Sequence, residues 1–368
     1  MSVIAYIFAN FFMLINSYSR DKTYQLLIYI TVALFITTTY YNGSDWRTYE
    51  LAYDDWFYMK DFHLRWGEGT SLIFDFFKYI NFNFHSMLIV LKLVVFFACL
   101  YFLKSYSSDL PTAFMFFIMS AGYGLFIDNP LRQMLAMPFF LLALHYLYKR
   151  SLLPFVLTIA AGFTFHSSIV FMVPLFFVPK TKFSNLFYFI LFIATFTFVY
   201  FFNYVTNVIQ WFMNSIPVLD FYFRHYVQDS ITQSSINGSS IVYIFISLLI
   251  FLIRSSKKYN INPSQFEFLA FIYILIVVLS IRIPDILRVG YYFSIPYALY
   301  VSDLSYFKRL SLEVFLIKVL QLVLCFNMLL FSYKYIPYTN YIYDYFLSDL
   351  KTYQYRDNFH FEYHNVER

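Results

Sequence analysis

Residues 128–168 read DNPLRQMLAMPFFLLALHYLYKRSLLPFVLTIAAGFTFHSS, and this stretch decides the fold that we predict. Two apolar segments are joined by a short basic turn, with an arginine near one end and a histidine near the other. Asn129 can cap a helix whose first residue is Pro130, which places Arg132 in the first turn. The unpaired N–H groups and the positive dipole end of that turn favour a phosphate. An arginine beside a membrane segment is costly without a partner, so Arg132 is a candidate site residue; the alternative is an arginine that snorkels to the interface.

The composition of the chain indicates a membrane protein. Of its 368 residues, 60% are hydrophobic and only 13% are charged. Apolar runs of roughly 20 residues recur, which is the length that a bilayer requires. We therefore predict an all-α, polytopic integral membrane protein of roughly eleven or twelve transmembrane helices. The predicted spans are 2–18, 24–41, 84–103, 111–127, 130–148, 151–165, 167–179, 183–213, 240–253, 264–281, 286–302 and 311–333.

Charged residues divide between the two sides of the predicted membrane. The positive-inside rule places the basic residues of the short loops in the cytoplasm. The transmembrane domain, residues 1–333, then has its long loops 42–83 and 214–239 on the opposite side, together with a polar tail, residues 334–368. The same side receives nearly every unusual polar residue: Asp45, Arg47, Arg132, His166, Arg224, Arg282 and Arg288. This asymmetry predicts a site on the extracytoplasmic side.

The loop 42–83 mixes carboxylates with aromatic side chains. A turn of Gly43 and Ser44 presents Asp45 at the membrane boundary, and Tyr49 follows Asp45 at helical spacing. Aromatic side chains beside carboxylates suit the faces and hydroxyls of sugars. The alternative is an ordinary aromatic belt at the membrane interface. Within the same loop, the pattern of residues 70–82 predicts a short amphipathic helix.

His166 follows an apolar run and precedes two serines. The pKa range of histidine suits a general base or a hydrogen bond to a phosphate or hydroxyl. The alternative is a structural histidine whose hydrogen bonds are satisfied within the protein.

A second arginine repeats the pattern around Arg132. Residues 281–292 read IRIPDILRVGYY, so Pro284 can begin a helix that carries Arg288 in its first turn. Two such arginines can hold a diphosphate without a metal ion. The alternative is an ion-pair cluster of Arg282, Arg288 and the acid between them.

The sequence lacks several well-known catalytic motifs, and this argues against some kinds of protein. It has no glycine-rich phosphate loop, no HExxH and no Cys/His cluster. We therefore expect neither a nucleotide-driven pump nor a zinc enzyme, and we expect no cofactor or metal.

An ordered set of short motifs resembles the EpsG family of bacterial polysaccharide polymerases, which are related in function to the Wzy O-antigen polymerases. The matching elements are Gly43-Ser44-Asp45 with Tyr49, Glu68-Gly69, Arg132-Gln133 with Ala136, Lys149-Arg150, and Phe165-His166 with Ser168. Beyond these, Arg288 with Tyr291 and Tyr292 is a weaker match. One departure is that family members often carry an arginine shortly before the Gly-x-Asp element, where this chain has TTTYYN.

The resemblance implies a multi-pass enzyme of the bacterial inner membrane with a fold like the GT-C-type glycosyltransferases. Such an enzyme joins oligosaccharide repeat units that are linked to undecaprenyl diphosphate, on the periplasmic face, without a metal. Its partners are the lipid-linked donor and acceptor and the membrane lipid, with no nucleic acid. The need for a chain-length regulator protein stays open.

The roles that follow divide between the leaving group and the acceptor. Arg132 and Arg288, with Arg224 as a third, would stabilise the developing charge of the diphosphate. Asp45 or His166 would take the proton of the acceptor hydroxyl. Further substrate contacts are expected from Tyr49, Arg47, Glu68, Gln133, Arg282 and Tyr291.

Two other functions remain open at this point. A flippase or transporter of lipid-linked oligosaccharides needs a polar path through the membrane, whereas the polar residues here gather on one side. A membrane glycosyltransferase with another polyprenyl-phosphate donor would use the same phosphate chemistry.

Overall fold

The computed structural model describes residues 2–55, 67–128, 130–178, 183–202, 266–280, 282–283, 286–308, 311–330 and 334–364, with a few positions between 242 and 253. This part of the chain is helical, which confirms the all-α prediction, and its β pairing is limited to an isolated bridge between Thr39 and Asn340. The helices are α1 Ser2–Asn16, α2 Lys22–Thr37, α3 Trp46–Asp54, α4 Glu68–Tyr79, α5 Phe84–Tyr106, α6 Leu110–Phe117, α7 Tyr123–Phe126, α8 Leu131–Lys149, α9 Leu152–Phe163, α10 Asn185–Tyr200, α11 Glu267–Leu279, α12 Ile286–Lys308, α13 Leu312–Leu330, α14 Tyr341–Phe346 and α15 Tyr353–His364. A π-helical turn, Ile118–Gly122, joins α6 to α7, and a 3-10 helix, Ser167–Phe177, follows α9.

Two features differ from the predicted elements. Helix α8 begins at Leu131, because Pro130 has ψ 71° and lies before the helix; the predicted cap, Asn129, lies outside the described residues. The predicted span 167–179 forms a 3-10 helix instead of an α-helix. Its Pro174 has no N–H to donate to an α-helical hydrogen bond. Arg132 still falls in the first turn of α8, as predicted.

Among the described residues, two helices are long and apolar enough to cross a membrane. They are Phe84–Tyr106 and Leu312–Leu330. Only 50% and 44% of the most apolar 18-residue stretch of each helix is buried inside the protein. The core helix of a soluble protein would bury most of such a surface, so the exposed half suits contact with lipid. Shorter apolar helices of 10–17 residues accompany them. The number of spans and the GT-C-type architecture stay predictions.

The chain divides into two compact units, Met1–Pro179 with Cys325–Arg368, and Lys180–Leu324. In the first unit, the polar tail packs on the residues that follow α2. The Tyr40 N–H donates to the Thr339 carbonyl oxygen at 3.1 Å, and the Tyr341 N–H donates to the Thr38 carbonyl oxygen at 2.9 Å.

The described part of the second unit is built mainly on α10, α11, α12 and the start of α13. Within it, Nε of Arg282 donates to the Val199 carbonyl oxygen at 3.2 Å. The loop 214–239 with Arg224, the residue Pro284 and most of the predicted span 240–253 lie outside the described residues.

Candidate functional site

Residues 43–47, GSDWR, form a turn that begins at Gly43, where the backbone conformation and the neighbouring atoms leave no room for a side chain. Gly43 has φ +82°, in the left-handed region that favours glycine. A Cβ atom there would lie 2.5 Å from the Ile127 carbonyl oxygen and 2.6 Å from Cα of Asp128. The Gly43 N–H also donates to the Lys334 carbonyl oxygen at 2.9 Å. The 43–47 turn is therefore held against the residues that lead into α8.

Asp128 links this turn to both α8 and the tail. Its Oδ1 accepts hydrogen bonds from the backbone N–H and from Oγ of Ser44, each at 3.1 Å. Its Oδ2 lies 2.8 Å from Nζ of Lys334, and both side chains of this ion pair are largely buried. Neither Asp128 nor Lys334 has a role predicted from sequence, although Asp128 is the first residue of the 128–168 stretch.

Asp45 occupies the N-cap position of α3 but does not cap it. Its backbone is α-helical, with φ −76° and ψ −22°, and its side chain makes no capping hydrogen bond. By contrast, Asp21 caps α2 by accepting from the N–H groups of Thr23 and Tyr24. Oδ1 of Asp45 lies 3.1 Å from Oγ of Ser44. The carboxylate of Asp45 is therefore not engaged as a helix cap.

Arg47 braces the 43–47 turn from inside. Its NH1 group donates to the Gly43 carbonyl oxygen at 3.0 Å and to the Ser44 carbonyl oxygen at 3.4 Å. Its Nε lies 2.8 Å from Oδ1 of Asp357, in the tail. These contacts favour a positioning role for Arg47, whereas the substrate contact predicted for it stays a prediction.

Arg132 joins the start of α8 to the residues that follow α9. Its Nε donates to the Phe165 carbonyl oxygen at 3.0 Å, which ties the guanidinium to the residue that precedes His166 in the chain. Arg132 is partly exposed, while its neighbour Gln133 is buried. The start of α8 thus supplies both a fixed cation, Arg132, and a helix N-terminus.

The start of α4 meets the same residues. Gly67 has φ +87°, and a Cβ atom there would lie 2.5 Å from the Thr164 carbonyl oxygen. That oxygen accepts a hydrogen bond from the Gly69 N–H at 3.2 Å. Glu68 lies between the two glycines and is exposed. The predicted amphipathic helix 70–82 is found as α4, which begins two residues earlier and ends three residues earlier, at Tyr79.

His166 is the N-cap residue of the 3-10 helix, and its hydrogen bonds define its tautomer. Its Nδ1 accepts from the backbone N–H of Ser168 at 3.2 Å and lies 2.5 Å from Oγ of the same serine. An imidazole nitrogen that accepts from a backbone N–H carries no proton, so neutral His166 has its proton on Nε2. This arrangement suits a hydrogen-bond donor better than a general base.

The structure therefore brings four of the sequence motifs together in the first unit. The 43–47 turn contacts Asp128 just before α8, Arg132 contacts Phe165, and the start of α4 contacts Thr164. Tyr49 is buried in α3.

The remaining predicted residues fall elsewhere. Arg282 is partly buried, Arg288 is exposed as the third residue of α12, and Tyr291 lies one turn further along. These three belong to the second unit, while Arg224 lies outside the described residues. Their predicted roles stay predictions.

A buried ionic cluster that the sequence analysis missed lies beside α3. Arg356 donates to both carboxylate oxygens of Glu50, from NH1 at 2.6 Å and from NH2 at 2.8 Å, and Nε2 of His85 lies 2.6 Å from the same NH1. Burial alone would raise the pKa of Glu50, but the neighbouring His85 and Arg356 outweigh it and hold that pKa below its ordinary value. Glu50 and Arg356 are 306 positions apart, so no local pattern pairs them.

Among the described residues, no group of three or more His, Cys, Asp or Glu side chains could hold a metal ion. Neither a curated protein nor a solved structure matches the chain. The EpsG family matches residues 2–346, nearly the whole chain, and this agrees with the motifs that meet in the first unit. The chain therefore belongs to the EpsG family, which points to a membrane-associated polysaccharide polymerase.

Proposed function

We propose that the protein joins oligosaccharide repeat units linked to undecaprenyl diphosphate, on the extracytoplasmic face of the bacterial inner membrane. The observation that carries this proposal is the convergence of the 43–47 turn, the start of α4, Arg132 and His166 in one unit. A carboxylate, a fixed cation and an imidazole donor are the groups that transfer from a diphosphate requires.

The reaction is a glycosyl transfer between two lipid-linked chains. The bond between the anomeric carbon of the donor and its diphosphate oxygen breaks, and the electron pair leaves with the diphosphate. The acceptor hydroxyl oxygen forms the new bond to the anomeric carbon. Its proton passes to a base, and the diphosphate keeps the undecaprenyl chain.

Arg132 is assigned to the diphosphate. The first turn of α8 adds N–H groups and the positive end of a 19-residue helix to the charge of the guanidinium. The contact with the Phe165 carbonyl oxygen holds the side chain in place before substrate binds, so little reorganisation is needed as charge develops.

Asp45 and His166 receive different roles. Asp45 is assigned as the base, because it is a partly exposed carboxylate in the turn that packs against the start of α8. His166 donates from Nε2 to a phosphate or sugar oxygen, because its Nδ1 accepts from Ser168. Roles for Arg288 and Arg224 at the diphosphate, and for Arg282 as a further substrate contact, remain proposals that rest on the sequence pattern alone.

The test compares surface polysaccharide on a gel in a deletion strain at matched membrane levels of protein. We expect wild type to restore a ladder of repeat units, and Arg132→Ala to leave only the single-repeat product. Arg20→Ala is the matched control, because Arg20 is an exposed arginine in the predicted cytoplasmic loop after α1.

Each other outcome has a distinct meaning. An intact ladder in the deletion strain would contradict the polymerase. A loss of single-repeat product on the cell surface, together with the ladder, would point to a flippase or to an earlier glycosyltransferase. A full ladder with Arg132→Ala would leave the function but move the diphosphate site.

A further inference from the structure

We propose that the tail helix α15 is a positioning element of the site, which acts through Arg356 and Asp357 on the 43–47 turn. This inference rests on the proposed function, because it assigns the turn that carries Asp45 to the reaction. The family match ends at residue 346, so α15 lies beyond the part that defines the family.

The short helix α3 needs outside support. It has nine residues, and an isolated helix of that length is unstable in water. Asp45 immediately precedes it, so the position of the Asp45 carboxylate depends on where the first turn of α3 lies. The tail contacts three side chains near that start, Trp46, Arg47 and Glu50.

The contact with Glu50 is the inner half of this support. The guanidinium of Arg356 and the carboxylate of Glu50 form a bidentate pair in which both side chains are over nine-tenths buried. The Arg356 guanidinium also lies 5.2 Å from the ring centres of both Tyr40 and Trp46. A planar guanidinium meets a carboxylate and aromatic faces at once, which a lysine cannot reproduce.

The contact with Arg47 is the outer half. Oδ1 and the backbone oxygen of Asp357 accept from Nε and NH2 of Arg47, at 2.8 and 3.3 Å. The same guanidinium donates through NH1 to the carbonyl oxygens of Gly43 and Ser44. Asp357 therefore fixes the guanidinium of Arg47, which bonds back to the two residues that precede Asp45.

The outer half gives the sharper test, because its side chains, Arg47 and Asp357, are 14% and 21% exposed, against 7% and 8% for Arg356 and Glu50. Arg47 also keeps its bonds to the Gly43 and Ser44 carbonyl oxygens when Asp357 is replaced. Purified full-length protein in lipid nanodiscs would be given a synthetic diphosphate-linked repeat unit, and kcat, KM and thermal unfolding would be measured. We expect Asp357→Asn to lower kcat by about tenfold to about a hundredfold, since small errors in position have such effects, with little change in KM or unfolding temperature.

Two variants serve as controls. Asp357→Glu keeps a carboxylate that can reach Arg47, so we expect it to restore most of kcat. Asp349→Asn removes another tail carboxylate, whose ion pair with Lys351 stays within the tail, so we expect a wild-type kcat.

The variant Arg356→Lys tests the inner half. It keeps the positive charge but loses the two parallel N–H donors of the guanidinium, so it should lower kcat and also raise hydrogen exchange across residues 43–54.

The inference would be overturned by a wild-type kcat for Asp357→Asn, or by a loss of kcat that only follows a loss of folded protein. A wild type that makes no polymer would refute the proposed function instead. In that case hydrogen exchange still decides the inference: unchanged exchange of residues 43–54 in both Asp357→Asn and Arg356→Lys would overturn it.

Discussion

Arg132 and Arg288 follow the same sequence pattern but have different surroundings. Each lies shortly after a proline, at the start of a long apolar helix. In the structure, Arg132 is partly exposed, donates to the Phe165 carbonyl oxygen and stands where four motifs meet. Arg288 is an exposed residue on the third position of α12.

The difference shows how a local pattern and a site are related. A proline and an arginine determine where a cation lies on a helix, because that depends on a few neighbouring residues. The other groups beside the cation are supplied by segments far away in the chain. Four of the predicted motifs come together in the first region, so we assign the central chemistry to it.

The largest expected difference between the two regions appears when each arginine is replaced by lysine. Arg132→Lys should reduce polymer by about tenfold or more, because an ammonium offers neither the directed Nε–H bond to Phe165 nor a fork for phosphate. Arg288→Lys should keep most of the polymer, because an exposed cation contributes mainly its charge. Polymer per unit of membrane protein in the deletion strain measures both, and equal losses would remove the distinction.

Glycines offer a second comparison of the two regions. Gly43→Ala places a Cβ atom 2.5 Å from a backbone oxygen at a positive φ, so we expect a cost of about 1–3 kcal/mol and a lower unfolding temperature. At Gly290 a Cβ atom would meet only side-chain atoms, the nearest being Cγ2 of Ile276 at 3.1 Å, and alanine favours the helix, so the unfolding temperature of Gly290→Ala should stay the same or rise. Thermal unfolding in detergent gives both values. A harmless Gly43→Ala would contradict the close packing of the turn.

A smaller effect is expected from the link between the turn and α8. Asp128→Asn keeps the shape of the side chain but weakens its bonds to Ser44 and Lys334, so it should cost about 1 kcal/mol of unfolding free energy and reduce polymer. Asp109→Asn is the control, because Asp109 accepts from Thr112 next to α6 and belongs to no motif. If both variants had the same activity, the ion pair of Asp128 with Lys334 would have no role in the site.

The smallest effect concerns pH. The pKa of Glu50 is depressed, so its bond to Arg356 contributes full stability above the ordinary value of 4.5 and loses it as pH falls through the lower folded value. His85 and Arg356 lower this pKa, and Asp54, Tyr40 and Tyr353 are the other titratable groups that interact with the Glu50 carboxylate. The fluorescence of Trp46, with the other tryptophans replaced by Phe, should be constant from neutral pH to 4.5 and should change only below it. A change in emission near neutral pH would show that Glu50 is not held as a carboxylate. In the second region, the bond from Arg282 to a carbonyl oxygen has no titrating acceptor.

Much of the fold could be predicted because hydropathy is a local signal. The predicted span 84–103 and the observed helix Phe84–Tyr106 share their first residue, and Arg132 lies in the first turn of its helix as expected. The pairs that hold the site could not be found in this way. Glu50 and Arg356 are 306 positions apart, and nothing in either neighbourhood marks the other. The tautomer of His166 depends on the backbone direction at Ser168, which residue types alone do not determine.

The central claim is that Arg132 stabilises the diphosphate as it leaves. The most direct measurement is single-turnover polymerisation by purified protein in nanodiscs, with saturating diphosphate-linked repeat unit, for wild type and Arg132→Ala. We predict that wild type forms the two-repeat product and that folded Arg132→Ala forms it about a hundredfold more slowly or worse, as expected for the loss of a group that stabilises developing charge. An equal rate for folded Arg132→Ala would contradict the claim.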